Sequence, residues 1–342
     1  MTPVFDGHND ALTREDHALF VAGRDGGHLD LPRMRAGGLR GAIFAMFTES
    51  PGFDWTPVQR DDGVREYAPA QPVSQLEAAA SATRAAGRLA ALERAGHVRI
   101  ARTVADLDAV SGDIDGPPAA VLHIEGAEAI DPELEALEHW YAAGLRSLGP
   151  VWSRSNAFGH GVPFLFGAGP DTGPGLTPVG RALVARCAEL GIMVDLSHLN
   201  EKGFWDVARA EPGPLVASHS GVHALAASSR NLTDEQLDAI GSTDGLVGII
   251  YGCQFIRADL ADDADTPLSV IAQHAAYVAD RIGVRHVALG SDFDGTRIPL
   301  ELGDVAGLPK LLDALRAAGF SDGDLEAIAW GNWRRVLGAW WR

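Results

Sequence analysis

Short apolar runs alternate with longer stretches of helical periodicity along the whole chain. The apolar runs end in glycine or polar residues, as buried strands do, and we expect eight strands at residues 4–6, 42–47, 119–124, 146–151, 192–197, 215–218, 246–251 and 287–291. The alanine- and leucine-rich stretches predict helices at residues 75–95, 134–143, 179–189, 202–210, 234–240, 268–282 and 308–318. Strands that alternate with helices indicate a parallel sheet.

The number of strand–helix units favours a closed sheet. Eight such units in 342 residues suit a single α/β domain, residues 1–342, folded as a (β/α)8 TIM-like barrel. A doubly wound open sheet produces a similar local pattern and is the alternative. Residues 49–73 and the glycine- and proline-rich residues 158–177 interrupt the rhythm. We expect both segments to be excursions of barrel loops.

The overall charge argues against one class of partner. The chain has 28 basic and 46 acidic residues and a formal net charge of −18, so most of its surface would repel the phosphates of a nucleic acid. Cys187 and Cys253 are too few for a disulfide scaffold and form no C-x-x-C pair. The sequence shows no signal-like segment and no apolar run of membrane length. We therefore predict a cytoplasmic protein without nucleic-acid or membrane partners.

Potential metal ligands follow the predicted strands directly. They come after the first, third, fifth, sixth and eighth strands, and they are His8 with Asp10, then Glu125, His198, His219 and Asp292. The carboxyl ends of barrel strands converge on one face, where active sites are found. We therefore expect these distant residues to meet around a single point.

The residue types in this set indicate a zinc site. Imidazole nitrogens and carboxylate oxygens without any cysteine suit zinc or a similar first-row divalent ion. A single open zinc site uses fewer protein ligands than this set provides. We therefore expect two metal ions that share a hydroxide, with a carboxylate bridging them.

Each ligand motif also has an ordinary structural interpretation. His8 and Asp10 can cap the following helix, and Glu125 at the end of an apolar strand can pair with an arginine. A lone His198 or His219 would be interpreted as a core histidine. Two consecutive strands that both end in Ser-His favour ligation instead.

Two more residues have expected roles in catalysis. Asp292 lies in the sequence GSDFDG, where its carboxylate can take a proton from water and pass it to a leaving amine. The alternative is an Asp-Gly turn, which suits Asp294 better than Asp292. Arg230 can clamp a substrate carboxylate in bidentate fashion. For a lone arginine the alternative is a surface ion pair.

Taken together, these motifs resemble the membrane (renal) dipeptidase family, metallopeptidases with an amidohydrolase-like barrel and many soluble bacterial members. The resemblance covers most of the chain and runs through DGHND at residues 6–10, Glu125, SH at 197–198, SHS at 218–220, RN at 230–231 and GSDFDG at 290–295. It implies one zinc on His8 and Asp10 and a second zinc on His198 and His219. Glu125 would bridge the two.

The resemblance also implies the reaction. Asp292 would transfer the proton, and Arg230 would hold the C-terminal carboxylate of a dipeptide. The family accepts a D-residue at that position, so L,D-dipeptides are expected beside L,L-dipeptides. Some members are dimers, which makes a homodimer an expectation here.

One position departs from the family pattern. After the fourth strand the family commonly has a histidine that polarises the substrate carbonyl, and Trp152 stands in that place. An indole donates one hydrogen bond but cannot become a cation. We therefore expect the oxyanion to be stabilised by a metal, or by another donor such as His160 or Arg154.

Other functions share this barrel and its metals. A related binuclear metallohydrolase that acts on N-acyl amino acids, lactones or phosphate esters is the nearest alternative, because fold and metals do not settle the substrate. A non-catalytic metal-binding barrel is the other alternative. Asp292 argues against it, since a binding protein needs no residue for proton transfer.

Overall fold

A ring of eight parallel strands forms the centre of the molecule, and the computed structural model describes residues 2–113 and 115–341. The strands, numbered here first to eighth, are Val4–Asn9, Leu39–Phe47, Ala119–Glu125, Leu145–Gly149, Met193–Val194, Val216–Ser220, Leu246–Ile249 and Val287–Leu289. They pair in chain order, the first five in one sheet and the last three in another. All eight predicted strands are present.

Two single parallel bridges close the ring. Asp195, directly after the fifth strand, pairs with Val216 of the sixth. Asn9 of the first strand pairs with Phe293, which follows the eighth. The closed (β/α)8 barrel predicted from the sequence is therefore confirmed, and the open-sheet alternative is wrong.

The ring closes at the level of the predicted metal ligands. The backbone N–H of Asp10 donates to the carbonyl of Phe293 at 2.8 Å, and the N–H of Asp292 donates to the carbonyl of His8 at 3.1 Å. Residues from opposite ends of the chain are thus held side by side by backbone hydrogen bonds, so their placement does not depend on flexible side chains.

Helices cover the outside of the barrel. The α-helices are Leu31–Gly37, Gln75–Arg94, Val104–Ser111, Glu135–Ala143, Pro178–Leu190, Glu201–Ala210, Asp234–Ser242, Cys253–Ile256, Leu268–Ile282, Leu308–Ala317, Asp322–Glu326 and Asn332–Trp340. Every predicted helix is present, with ends within two residues of the prediction. The helices that were not predicted have four to nine residues. Among the described residues, no helix is both long and apolar enough to cross a membrane.

Small side chains let the longest helix lie against the barrel. Gln75–Arg94 begins with a capping box in which Ser74 and Glu77 satisfy each other's backbone N–H groups. Its buried residues are Ala78, Ala82, Ala85 and Leu89, spaced as one face of a helix requires. This packing fixes the neighbouring face of the helix beside the carboxyl ends of the strands.

The two predicted loop excursions meet each other above the barrel. Short strands Val58–Gln59 and Arg65–Glu66 from the first excursion form an antiparallel sheet with Leu165–Phe166 from the second. Aromatic side chains from these segments and their neighbours contact one another. This aromatic wall consists of Phe53, Trp55, Tyr67, Trp152, Phe164, Phe166 and Phe255.

Candidate metal centre

The five predicted ligands lie around one buried carboxylate. Glu125 Oε1 is 3.0 Å from His198 Nε2 and 3.6 Å from His219 Nε2. Glu125 Oε2 is 3.6 Å from His8 Nε2, which is 3.7 Å from Asp10 Oδ2. We call His8, Asp10 and Glu125 Oε2 the first half-site, and His198, His219 and Glu125 Oε1 the second. Each oxygen of Glu125 faces one set of nitrogen or oxygen donors.

The first half-site contains buried polar atoms that lack a partner. Neither ring nitrogen of His8 makes a hydrogen bond, and the Oδ1 atom of Asp10 makes none either. Polar atoms without a hydrogen-bond partner are rare and costly when they are buried. Burial lowers the pKa of His8, but the charges of Glu125 and Asp10 outweigh it and hold that pKa well above its usual value. This half-site therefore attracts positive charge, and its donors fit a divalent cation.

Hydroxyl groups fix the rings of the second half-site. Ser218 Oγ donates to Asp195 and lies 2.7 Å from His219 Nδ1, so it accepts the Nδ1 proton and leaves Nε2 free toward Glu125. His198 Nδ1 is 2.8 Å from Ser153 Oγ. Such contacts set the tautomer and orientation of metal-binding histidines.

Burial also keeps the second half-site in the protonation state that a metal needs. Burial, helped by the charge of Arg230, lowers the pKa of His198 to about 4. Burial, followed by the charges of His8 and Arg230, lowers the pKa of His219 well below its usual value. Both rings are neutral at neutral pH and can donate a lone pair to a metal.

Arg230 is part of the site and is not on the surface. Its side chain is buried, with Nε 3.1 Å from His198 Nδ1, while Nη1 donates to Ser220 Oγ at 3.1 Å and Nη2 to the carbonyl of His219 at 3.0 Å. Burial lowers its pKa to about 10, so the guanidinium stays charged at neutral pH. The surface ion pair considered from the sequence is therefore wrong.

Asp292 lies against both half-sites. One of its oxygens is within 4.8 Å of ligand atoms of His8 and His219, and the residue has a left-handed backbone with φ of 60°. Burial raises the pKa of Asp292 well above its usual value, although the charge of His8 lowers it. Gly295 permits this approach, since a Cβ atom there would come within 2.4 Å of Asp292 Oδ1.

The contacts of Asp294 indicate a structural role. Its carboxylate accepts from Arg24 Nη1 at 3.2 Å and from the backbone N–H of His28 at 2.6 Å. In return, its own backbone N–H donates to His28 Nδ1 at 3.0 Å. These contacts tie the loop after the eighth strand to the loop after the first.

Trp152, at the position where the family commonly has a histidine, faces the cavity, whereas His160 and Arg154 do not. Trp152 lines the cavity, and its ring centroid is 5.8 Å from that of His198. Arg154 Nε donates to Glu128 at 2.7 Å, and His160 Nδ1 is 2.9 Å from Ser155 Oγ. Neither lines the cavity, so neither is placed to donate to an oxyanion there. Stabilisation by a metal, the other source that we expect, stays a prediction.

Sequence reasoning missed most of the surrounding cavity. The cavity has a volume of about 710 Å³ and reaches from the half-sites to the aromatic wall and the helix Gln75–Arg94. No local pattern singles out Trp55 or Tyr67, because they come from a loop with no periodicity. Only one of the supporting hydroxyls had a visible signal, since Ser218 directly precedes His219. Ser153, which contacts His198, comes from a different part of the chain.

Comparison with known proteins identifies the family. The model of the membrane dipeptidase family, peptidase family M19, matches residues 1–340. The chain belongs to this family. The family assignment and the hydrolase class predicted from the sequence are thereby confirmed, and metal ions are part of the chemistry of these metallopeptidases.

Related structures extend the likeness over the whole chain. The crystal structure of a metallopeptidase of family M19 named dipeptidase AC is 44% identical, covers 100% of both chains and has a TM-score of 0.93. A metallopeptidase from Rhodobacter sphaeroides, with a phosphinate mimic of L-Ala-D-Ala bound, is 43% identical over 99% of both chains, with a TM-score of 0.93. Dipeptidase aclJ of Aspergillus oryzae is 35% identical over 70% of this chain and 55% of its own length.

Proposed function

We propose that the protein is a zinc-dependent dipeptidase with two Zn²⁺ ions per chain, acting on small L,L- and L,D-dipeptides that have a free C-terminal carboxylate. The arrangement of Glu125, with one oxygen toward His8 and the other toward His198 and His219, carries this proposal. A carboxylate that faces two donor sets is suited to bridge two metals. The phosphinate dipeptide mimic bound to the Rhodobacter relative supports the choice of substrate.

The residues divide the chemical work among them. Zinc ions bound at the two half-sites would polarise the scissile carbonyl and supply a hydroxide from the water they share. Asp292 lies beside both half-sites, where its carboxylate accepts the proton of the attacking water and returns it to the departing amine. Trp152 cannot supply positive charge, so carbonyl polarisation depends mainly on the metals.

Arg230 is the residue that selects the free carboxylate. When His198 Nε2 binds a metal, its Nδ1 must carry the proton and donates to Ser153 Oγ, 2.8 Å away. The Nε–H group of Arg230, 3.1 Å from the same nitrogen, then has no acceptor there. A substrate carboxylate provides one, in a buried place where a charge-assisted hydrogen bond is strong.

Blocked substrates test this role directly. The zinc-loaded protein should hydrolyse L-Ala-L-Ala and L-Ala-D-Ala, whereas the amidated forms should be poor substrates. Arg230→Gln should raise KM for the free dipeptides about ten- to a hundredfold, the cost of losing a hydrogen bond to a charged group. Metal content and thermal unfolding of the variant must be measured as controls, because Arg230 also contacts His198.

Two outcomes would contradict the proposal. Equal hydrolysis of free and amidated dipeptides would remove the carboxylate from recognition. Hydrolysis of N-acyl amino acids or lactones with no action on dipeptides would favour the related metallohydrolase. The homodimer, the single-domain organisation and the cytoplasmic location stay predictions.

A further inference from the structure

A series of close contacts connects Arg230 to Asp10 through the candidate metal centre. At one end, Arg230 Nε is 3.1 Å from His198 Nδ1, and His198 Nε2 is 3.0 Å from Glu125 Oε1. The series continues from Glu125 Oε2 to His8 Nε2 at 3.6 Å and from there to Asp10 at 3.7 Å. Arg230 is thus the first residue of this series of contacts, and Asp10 is the last.

Two more arginines lie close to the segment that carries Asp10. Arg88 Nη1 donates to the carbonyl of Leu12, just after Asp10 in the chain. Arg84 lies one turn earlier on the same helix, and Ser81 lies one turn before it. These three residues of the helix Gln75–Arg94 line the same cavity as Asp10.

Neither of these two arginines has a carboxylate within ion-pair distance among the described residues. The only described hydrogen-bond partner of Arg88 is the backbone carbonyl of Leu12, which carries no charge. Arg84 is exposed at the cavity and has no carboxylate partner among the described residues. Two arginines one helical turn apart, without acidic ion-pair partners, leave positive charge at this part of the cavity.

We propose that Arg84 and Arg88 select an acidic side chain, glutamate or aspartate, on the N-terminal residue of the dipeptide. This inference rests on the proposed function: if Arg230 holds the C-terminal carboxylate and the half-sites hold the scissile carbonyl, the N-terminal residue extends past Asp10. Its side chain then reaches the helix that carries the two arginines. The exposed carboxylate of Glu49 lines the same cavity and is left for the α-ammonium group.

The expected preference is modest, because at least one of the arginines is exposed to solvent. Exposed ion pairs are weak and screened by salt. Two such contacts correspond to a kcat/KM for L-Glu-L-Ala about five times that for the isosteric, neutral L-Gln-L-Ala. L-Lys-L-Ala should be the poorest of the three substrates.

Substitutions on one helix face test the assignment. Arg84→Gln should reduce the ratio of kcat/KM for L-Glu-L-Ala to kcat/KM for L-Gln-L-Ala toward one. Arg84→Lys should retain most of this preference because the charge remains. Arg88→Gln should act in the same direction. Arg94→Gln is the matched control, since Arg94 lies on the same helix, is exposed and does not line the cavity.

The effect of salt and the rate with the neutral substrate distinguish this inference from the proposed dipeptidase function. Raising the ionic strength should reduce the wild-type ratio toward one while kcat/KM for L-Gln-L-Ala changes little. If L-Gln-L-Ala and L-Glu-L-Ala are hydrolysed equally well at low salt, this inference is overturned and the dipeptidase function stands. If the zinc-loaded protein hydrolyses no dipeptide, both are overturned.

Discussion

The two half-sites have similar donors but different support. In the second, serine hydroxyls hold the Nδ1 atoms of His198 and His219. In the first, neither nitrogen of His8 has a hydrogen-bond partner. His8 is positioned by packing, with its ring stacked on His219 at 3.8 Å and edge-on to His123 at 5.6 Å.

The second half-site is therefore already arranged to bind a metal, whereas the polar atoms of the first obtain partners only when a metal binds. Rings already oriented by hydrogen bonds lose little freedom when a cation binds, whereas unpartnered buried atoms gain their first polar partner from it. We therefore expect the second half-site to bind zinc more tightly and the first to lose it first to a chelator. Three substitutions test this comparison, and their expected effects decrease from Glu125 to Asp292 to Ser218.

Glu125→Gln removes the charge that the half-sites share and should have the largest effect. Activity is expected to fall at least about a thousandfold, because metal polarisation contributes several kcal/mol to transition-state stabilisation. Metal per chain, measured by elemental analysis, should fall as well. Glu133→Gln, at an exposed position, is the control. Full metal content with normal activity would show that Glu125 does not bridge the half-sites.

Asp292→Asn distinguishes a proton carrier from an additional ligand of the first half-site. As a proton carrier, Asp292 predicts a fall in kcat of about a hundredfold or more with unchanged metal content and KM. Parallel loss of metal and activity would instead make it a ligand of His8's half-site. Undiminished kcat would remove Asp292 from the reaction altogether.

Ser218→Ala tests the support of the second half-site alone. Zinc affinity of that half-site should fall about ten- to a hundredfold, the usual effect of losing a partner that orients a ligand. Calorimetric titration with a competing chelator measures it. Ser147→Ala is matched, since it removes a buried hydroxyl 2.8 Å from Nδ1 of His123, which is not one of the five ligands. Equal losses in both variants would mean that the hydroxyl only stabilises the barrel.

Much of the barrel and its ligand set could be predicted, for a physical reason. Buried parallel strands must be apolar along their length, so their ends appear as sharp changes to polar residues such as Glu125 and His219. The roles of these residues stay proposals, although the structure brings them together. The predicted fifth strand is too long, since the regular strand ends at Val194 and Asp195 continues it only through a single bridge to Val216.

Other features depended on contacts that no local pattern records. Arg230 had a surface alternative in the sequence, yet it is buried behind His198. Residues 158–177 gave no sign that Leu165–Phe166 pairs with Arg65–Glu66. Such pairings depend on which distant segments meet once the barrel has closed.

By itself, the amino-acid sequence determined the barrel, the order of its strands and the residues at their ends. The reason is that the pattern of apolar and polar residues at neighbouring positions indicates which segments are buried and where each strand ends. Tertiary structure alone decided that Glu125 faces donors on both sides, that hydroxyls support only the second half-site, and that Arg84 and Arg88 line the same cavity as Arg230. These are distances between residues far apart in the chain, and such distances are fixed only when packing brings the segments together.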